Sequence, residues 1–404
     1  MTEHLVVVGA GQAATQAAQA LRQQNYAGAI TLLGEEPYPP YQRPPLSKKY
    51  FAGETPRERL LLRPQPFYAE KGIALEIDVR VEELDAVAHA LRLRDGRTLR
   101  YDKLLLATGS RPRILAVPGA ELEGVHHVRT IADIDAINAG LPPGARVVVV
   151  GGGYIGLEMA SVARQRGFAV TVLEAADRVL GRVVCAQVST FFAGLHRAAG
   201  VEVHVGAAVR ALHGQARVAA VETADGRSFP CDAVIVGIGI TPNVELAAAA
   251  GLECSNGIRV DEHAQTADSD VLACGDCTSH PLPLYGRTVR LESVPNAVHQ
   301  AKVAAATLLG SPSAYSEIPW FWSDQYDVKM QIVGLSHGYD TTVLRGDPAQ
   351  KSFAVYYLAN RRLLAVDAVN SPREFAHAKK LIGAAFTIDA DVLRDPRTDP
   401  LTLG

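Results

Sequence analysis

Two glycine clusters and two acidic residues carry the clearest chemistry in this 404-residue sequence. The first cluster is Gly9-Ala10-Gly11 with Ala14 in the third small-residue position, and the second is Gly151-Gly152-Gly153-Tyr154-Ile155-Gly156. In such a pattern the first glycine permits a tight turn and the second lets backbone approach a pyrophosphate. A small third residue lets a helix pack closely on a strand. Glu35 follows Ala14 by 21 residues and Glu174 follows Gly156 by 18. That is where a carboxylate accepts both hydroxyls of an adenosine ribose. One such unit binds one adenosine diphosphate moiety, so the sequence reads as two dinucleotide sites. At the second, Glu174 accepts from a 2′-hydroxyl and repels a 2′-phosphate, which favours NADH over NADPH. Arg178 stands close enough in sequence to leave the phosphate alternative open.

The elements that must position these groups are legible around them. Val6-Val7-Val8 reads as a buried strand, followed by a helix with Ala13, Ala14, Ala17, Ala18 and Leu21 on its apolar side. The phosphates would then lie at the positive N-terminus of that helix. Ile30-Thr31-Leu32-Leu33 reads as the next strand, running out to Glu35. The pattern recurs with a strand over 146–150, a helical stretch over 157–163 and a strand over 170–173 that ends at Glu174. A glycine turn that merely packs a sheet is the bland alternative, and two full copies with strand, helix and acid in register count against it. Leu141-Pro142-Pro143-Gly144 is a turn immediately before the second copy. Further on, 330–335, 353–358 and 363–369 look like short strands. Ser371-Pro372-Arg373-Glu374 reads as a capping box with proline at the first helical position, opening a helix towards Ile382.

At this point the chain resembles the two-dinucleotide flavoprotein reductases of the glutathione-reductase-like fold. Leu104-Leu105-Leu106-Ala107-Thr108-Gly109-Ser110 looks like the crossover between the two nucleotide domains. Ala233-Val234-Ile235-Val236-Gly237-Ile238-Gly239 with Thr241-Pro242-Asn243 looks like the return crossover, and 266–276, ending Cys274-Gly275-Asp276, looks like a second FAD motif. The resemblance implies an α/β fold: two Rossmann-like dinucleotide-binding domains, for FAD and NAD, plus a small C-terminal α+β domain. The expected boundaries are 1–115 and 246–316 for a discontinuous FAD domain, 116–245 for the NAD domain and 317–404 for the third.

Three more segments narrow the match: Pro40-Tyr41-Gln42-Arg43-Pro44-Pro45-Leu46-Ser47-Lys48, Glu292-Ser293-Val294-Pro295-Asn296-Ala297 and Pro319-Trp320-Phe321-Trp322-Ser323-Asp324-Gln325. They resemble the NADH-dependent ferredoxin reductases of bacterial oxygenase systems, rubredoxin reductases among them, along essentially the whole chain. The resemblance implies FAD contacts at Gly9, Gly11, Ala14, Glu35, Arg43, Lys48, Ala107, Thr108, Gly109, Arg111, Gly275, Asp276 and Val294. It implies NAD contacts at Gly151, Gly153, Ile155, Gly156, Glu158, Glu174 and Gly239. Asp276 would hold the ribityl chain, and the helix opened by 292–297 would turn backbone N–H groups to the flavin pyrimidine carbonyls. Lys48, Glu158, Trp320 and Trp322 are the implied catalytic set: Lys48 beside the isoalloxazine ring, Glu158 at the nicotinamide, and one tryptophan over the flavin edge. The bland readings are a solvated lysine, an ordinary helix acid and aromatic residues packed in a core.

Absences discriminate as well. Disulfide reductases of this fold carry a redox-active cysteine pair, and its peroxidases a single cysteine, where this chain has Arg43-Pro44-Pro45-Leu46-Ser47-Lys48. Cys274-Gly275-Asp276-Cys277 is a C-x-x-C on paper, but Gly275 and Asp276 are committed to FAD by the resemblance. Both thiols therefore read as buried small residues. The twelve histidines show no H-E-x-x-H spacing, so no catalytic metal is expected. The five cysteines suit neither a disulfide framework nor an iron–sulfur cluster. An acceptor cluster would therefore belong to a partner, a [2Fe–2S] ferredoxin or a rubredoxin. Arg57, Arg59, Arg63, Arg287 and Arg290 are docking candidates for an acidic partner.

A formal net charge of -3 invites neither nucleic acid nor an anionic membrane. No apolar run reaches the ~18 residues of a membrane span. The chain leads straight into its first strand without a secretory pattern, so a cytoplasmic setting is expected, as monomer or homodimer. The rival functions are NADH:rubredoxin reductase, an oxidase or quinone-type flavoprotein, and a signalling flavoprotein of the apoptosis-inducing-factor type.

Overall fold

Strands that read as unbroken apolar runs must be covered on both faces, and this composition selects parallel sheets flanked by helices. The computed structural model describes residues 3–403, and the chain divides into two compact units. Residues 3–42, 57–111 and 241–319 form the first; 43–56, 112–240 and 320–403 form the second.

In the first unit a parallel sheet runs in the order Val271–Ala273, Lys103–Leu106, His4–Val8, Ala29–Gly34, Ile73–Ile77. Leu5, Val6, Val7, Leu104, Leu105 and Leu106 have no exposure at all. The chain turns at Gly9 into the helix Gln12–Gln23, whose Ala13, Ala14, Ala17, Ala18 and Leu21 are buried as the periodicity predicts. This helix lies against the helix Val294–Leu308, which contributes buried Ala301, Ala304 and Ala305. Strand His4–Val8 has parallel neighbours on both sides, reached by separate excursions of the chain. Its C-terminal end is therefore a topological switch point, where α/β sheets bind ligands.

The second unit repeats this design. Its parallel sheet runs in the order Glu202–His204, Ala169–Leu173, Arg146–Val150, Ala233–Val236, Val125–His127. Gly151 ends the central strand and leads into the helix Tyr154–Gln165. The same unit holds a five-stranded antiparallel sheet in the order Trp320–Gln325, Val328–Gly334, Arg362–Val369, Ser352–Ala359, Thr341–Asp347.

Three details differ from the sequence reading. Strands Trp320–Gln325 and Thr341–Asp347 join the three expected ones; both are outermost, half-buried and weak in apolar alternation. Helix Pro372–Gly383 starts with proline where expected, but the capping box does not form. Ser371 donates its hydroxyl to the Val369 carbonyl (3.1 Å) and the Glu374 carboxylate accepts from the buried Tyr356 phenol (3.1 Å), while the Ser371 backbone, at ψ 64°, leaves the extended conformation usual at an N-cap. Residues 43–56, read as part of the FAD-binding sequence, pack with the second unit.

Candidate active site

The first nucleotide cradle is built on Gly9 and Gly11. Gly9 has φ 120°, and a Cβ there would lie 2.2 Å from the Ala107 carbonyl oxygen. The turn and the first crossover therefore meet backbone to backbone. Gly11 is the N-cap of helix Gln12–Gln23; it brings no side-chain cap, the first turn has no acid, and a Cβ would meet nothing within 4 Å. That leaves unsatisfied N–H groups and open space at a positive helix end, which suits a pyrophosphate. Ala14 is fully buried beneath it.

The crossover itself is closely tied within this unit. Thr108 Oγ1 donates to the Asn243 carbonyl (2.7 Å), and Asn243 Nδ2 donates to the Thr108 carbonyl (2.9 Å). Gly109 adopts φ 64°. Gly275, at φ 88°, donates its N–H to Gln300 Oε1 (2.8 Å), and a Cβ on it would press on Ala13. Asp276 accepts the Ser110 hydroxyl at 3.0 Å. Val294 opens the helix Val294–Leu308, capped by Ser293, whose hydroxyl accepts the Asn296 N–H. Glu35 is exposed and paired with Arg80 (2.6 Å), and Arg111 bonds Asn243 and Glu245. Among the docking candidates, Arg57 stacks over Tyr38 and Arg63 bonds Gln19, while Arg290 pairs with Glu292. Cys274 and Cys277 are buried free thiols, and burial pushes both up from the ordinary range, so neither is an accessible nucleophile.

The second cradle has the same logic. Gly151 has φ 105°, and a Cβ there would stand 2.5 Å from the Gly237 carbonyl oxygen. Gly153 is an uncapped N-cap with no acid in the following turn. Ile155, in that first turn, is an exposed apolar residue, a surface for a nucleotide to cover. Glu174 accepts the Gly152 N–H with Oε2 (2.6 Å) and the Ala176 N–H with Oε1 (2.8 Å). Each oxygen keeps a lone pair for a ribose hydroxyl. Arg178 directs its guanidinium at the carbonyls of Val184 (2.7 Å) and Gly181 (2.8 Å), so it is engaged in holding its own loop. Gly239, at φ 101°, accepts the Arg113 N–H with its carbonyl (3.0 Å). Both cradles therefore fit the phosphates and sugars of dinucleotides.

The most concentrated chemistry lies one turn into helix Tyr154–Gln165. Glu158 is 1% exposed, which an isolated carboxylate could not tolerate. Its Oε2 accepts from Lys48 Nζ (2.6 Å) and the Ser47 hydroxyl (2.6 Å), and its Oε1 accepts from the Ser323 hydroxyl (2.7 Å). Lys48 is thus neither a solvated lysine nor an isolated one. The 43–48 segment, led by Pro44 and Pro45 into a short 3-10 turn, delivers Ser47 and Lys48 to this carboxylate. Arg43, just before it, donates to the Arg129 carbonyl (2.6 Å).

Trp320 and Trp322 lie on one face of their strand, ring centroids 5.7 Å apart, with Trp320 against Phe375 and Lys379. Phe321, Ser323 and Gln325 occupy the other face, and it is this face that meets Tyr154, Glu158 and His196. The structure thus gathers Lys48 and Glu158 and turns both tryptophans away from them. Ser47, Ser323, Gln325 and His196 were missed by sequence reading; the available signal was that Phe321, Ser323 and Gln325 share one face of a strand whose other face carries both tryptophans.

Family models cover nearly the whole chain. A family model described as pyridine nucleotide-disulphide oxidoreductase matches residues 3–301, and one described as reductase C-terminal matches 320–402. The chain belongs to the pyridine nucleotide-disulphide oxidoreductases. A probable ferredoxin reductase of Castellaniella defragrans is 45% identical over 99% of this chain and 98% of that one. Putidaredoxin reductase of Pseudomonas putida is 43% identical over 97% and 94%. The reductase in a crystal structure of a covalent putidaredoxin reductase–putidaredoxin complex superposes with a TM-score of 0.95 at 43% identity, covering 98% of this chain and 97% of that one. A ferredoxin reductase from Rhodopseudomonas palustris gives 0.96 at 39%, covering 99% of each. Members of this family use FAD and NAD(H), and this chain is an oxidoreductase of that kind. The disulphide chemistry in the family's name has no cysteine to run on between Arg43 and Lys48.

Proposed function

We propose that this oxidoreductase takes hydride from NADH onto FAD and passes electrons singly to a [2Fe–2S] ferredoxin serving a bacterial oxygenase. The observation that carries this reading is the buried Lys48–Glu158 pair (2.6 Å) one turn beyond the second glycine cradle. The reductases of oxygenase systems among the relatives support the choice of acceptor. FAD, when bound, supplies an acceptor for a hydride and a donor of single electrons. The protein's own residues bind, orient and hold charge. The uncapped helix ends at Gly11 and Gly153 bind the two pyrophosphates, and Glu174 accepts the ribose hydroxyls of NADH while disfavouring a 2′-phosphate. Glu158 positions the nicotinamide, and Lys48 neutralises that carboxylate while keeping a cation available to developing negative charge.

The division into an FAD domain (1–115 and 246–316), an NAD domain (116–245) and a C-terminal domain from 317 is part of the same reading; the separate family model over 320–402 supports the last of these boundaries. No helix among the described residues is long and apolar enough to cross a membrane, and a cytoplasmic location is the setting we infer. The test is anaerobic stopped-flow absorbance: rapid loss of the flavin's visible absorbance with NADH, then recovery on adding oxidised [2Fe–2S] ferredoxin. Recovery only with oxygen or a quinone would remove the ferredoxin from the reading.

A further inference from the structure

The Glu158 carboxylate ends a longer line of hydrogen bonds than its own charge requires. Ser323, which bonds Glu158 Oε1, lies 3.2 Å from Gln325 Nε2, and Gln325 Oε1 lies 2.8 Å from His196 Nε2. His196 Nδ1 in turn lies 3.3 Å from the Tyr326 hydroxyl. All of Glu158, Ser323, Gln325 and His196 are buried, and His196 has no exposure at all.

Proton accounting assigns each group's role. Glu158 accepts from Lys48 and two serines, so it is a carboxylate and has no proton to give. Ser323 must therefore use its single proton on Glu158 and can only accept from Gln325. The Gln325 amide nitrogen thus faces Ser323, and its carbonyl oxygen faces the imidazole. His196 must carry its proton on Nε2, which leaves Nδ1 to accept from Tyr326. Burial disfavours the charged imidazole, outweighing the Gln325 hydrogen bond, and pushes the Tyr326 phenol up to about 12 against the pull of Arg164. A neutral imidazole and a protonated phenol are what this line needs. Every donor points the same way, from Tyr326 towards Glu158, so the dipoles reinforce one another.

We propose that Ser323, Gln325 and His196 are positioning residues for the hydride-transfer step, a one-directional hydrogen-bond line that holds the Glu158 carboxylate in the orientation where Oε2 carries Lys48. This rests on the reading of Glu158 as the group that positions the nicotinamide. Without the line, Glu158 Oε1 loses its only donor among the described residues, and the carboxylate is free to turn about its last torsion. A side-chain amide does not pass protons readily, so the line orients and polarises; it does not conduct.

The test uses the FAD-loaded enzyme and two independent readouts. In pre-steady-state reduction by NADH, Ser323→Ala and Gln325→Leu should lower the limiting rate about tenfold, the loss expected for one hydrogen bond to a charged group. The apparent dissociation constant for NADH should stay within about twofold, because orientation matters chiefly in the transition state. Ser323→Thr, which keeps the hydroxyl on a strand that favours a β-branched residue, should restore the rate. Nitrogen-15 NMR of histidine-labelled wild-type enzyme, with His196→Gln for assignment, should show the Nε2–H tautomer at His196 without any turnover. An Nδ1–H tautomer, or an unchanged limiting rate in Ser323→Ala alongside a slowed Glu158→Gln, overturns the line while the reading of Glu158 stands. An unchanged rate in Glu158→Gln overturns that reading, and the line with it.

Discussion

The Glu174 carboxylate holds the glycine turn through the Gly152 N–H and still has a lone pair on each oxygen for ribose. Removing it therefore does more than lift a repulsion. Glu174→Ala should weaken NADH binding about tenfold, through lost hydrogen bonds to a charged group. NADPH, which gains from the lost repulsion, should be penalised less. Steady-state kcat/KM with both nucleotides checks this, and an unchanged ratio would remove Glu174 from the ribose. Lys48 presents a sharper case, because its partner is buried. Lys48→Ala leaves Glu158 with two serine donors and no counter-charge. Flavin reduction by NADH should slow by tenfold or more on the order of an uncompensated buried charge, with the FAD-to-protein ratio little changed. Stopped-flow rates and the visible spectrum of the purified variant measure the two separately.

The two glycine turns are alike in sequence but not in room. In the first copy the third small position is Ala14, fully buried, so the strand-to-helix spacing accommodates a methyl group. In the second copy a Cβ on Gly156 would stand 2.0 Å from the Gly151 carbonyl oxygen. Helix Tyr154–Gln165 is thus seated closer to its turn than helix Gln12–Gln23, and Gly156→Ala must push it outward. We expect that substitution to cost about 1–3 kcal/mol through overpacking and to impair NAD+ binding. Ala14→Gly should be far milder. Calorimetric titration with NAD+ together with FAD content distinguishes the outcomes, since only the NAD element is disturbed. At this scale the structure also explains the failed capping box. Ser371 and Glu374 have the right spacing, but the Ser371 backbone, at ψ 64°, is not in the extended conformation an N-cap takes, and both side chains bond elsewhere.

Stability of the whole chain should carry the signature of Asp367. This residue is fully buried in the strand Arg362–Val369, and burial raises its carboxyl from 3.8 to about 7, against the opposing hydrogen bond from Tyr357. The folded state therefore holds a proton that the unfolded chain has released between about pH 4 and pH 7. More protons bound in the native state means that stability falls as pH rises through that window, then levels off above it. The loss is on the order of a few kcal/mol. Asp367→Asn, which keeps shape and a hydrogen-bonding group, should flatten this dependence. Urea unfolding of both proteins at pH 5 and pH 8 checks it: the variant should gain on the wild type at pH 8, and equal differences at the two pH values would contradict the shift.

By itself the sequence determined what local pattern can encode. Both dinucleotide units were legible because strand, turn, helix and acid fall within about forty residues, where apolar periodicity and glycine placement act directly on the backbone. The missing cysteines between Arg43 and Lys48 excluded disulfide chemistry by the cysteine pair usual at that position for the same reason: the absence of a residue type is local information. Only the tertiary structure decided the company Glu158 keeps. Lys48 is 110 positions away and Ser323 is 165 away. No periodicity links them; they meet because two distant segments of the chain, 43–48 and the strand Trp320–Gln325, return to one helix face. It also turned Trp320 and Trp322 away from that carboxylate and Ser323 towards it. Alternation along a strand says which residues share a face, but which face meets the helix depends on what the sheet packs against.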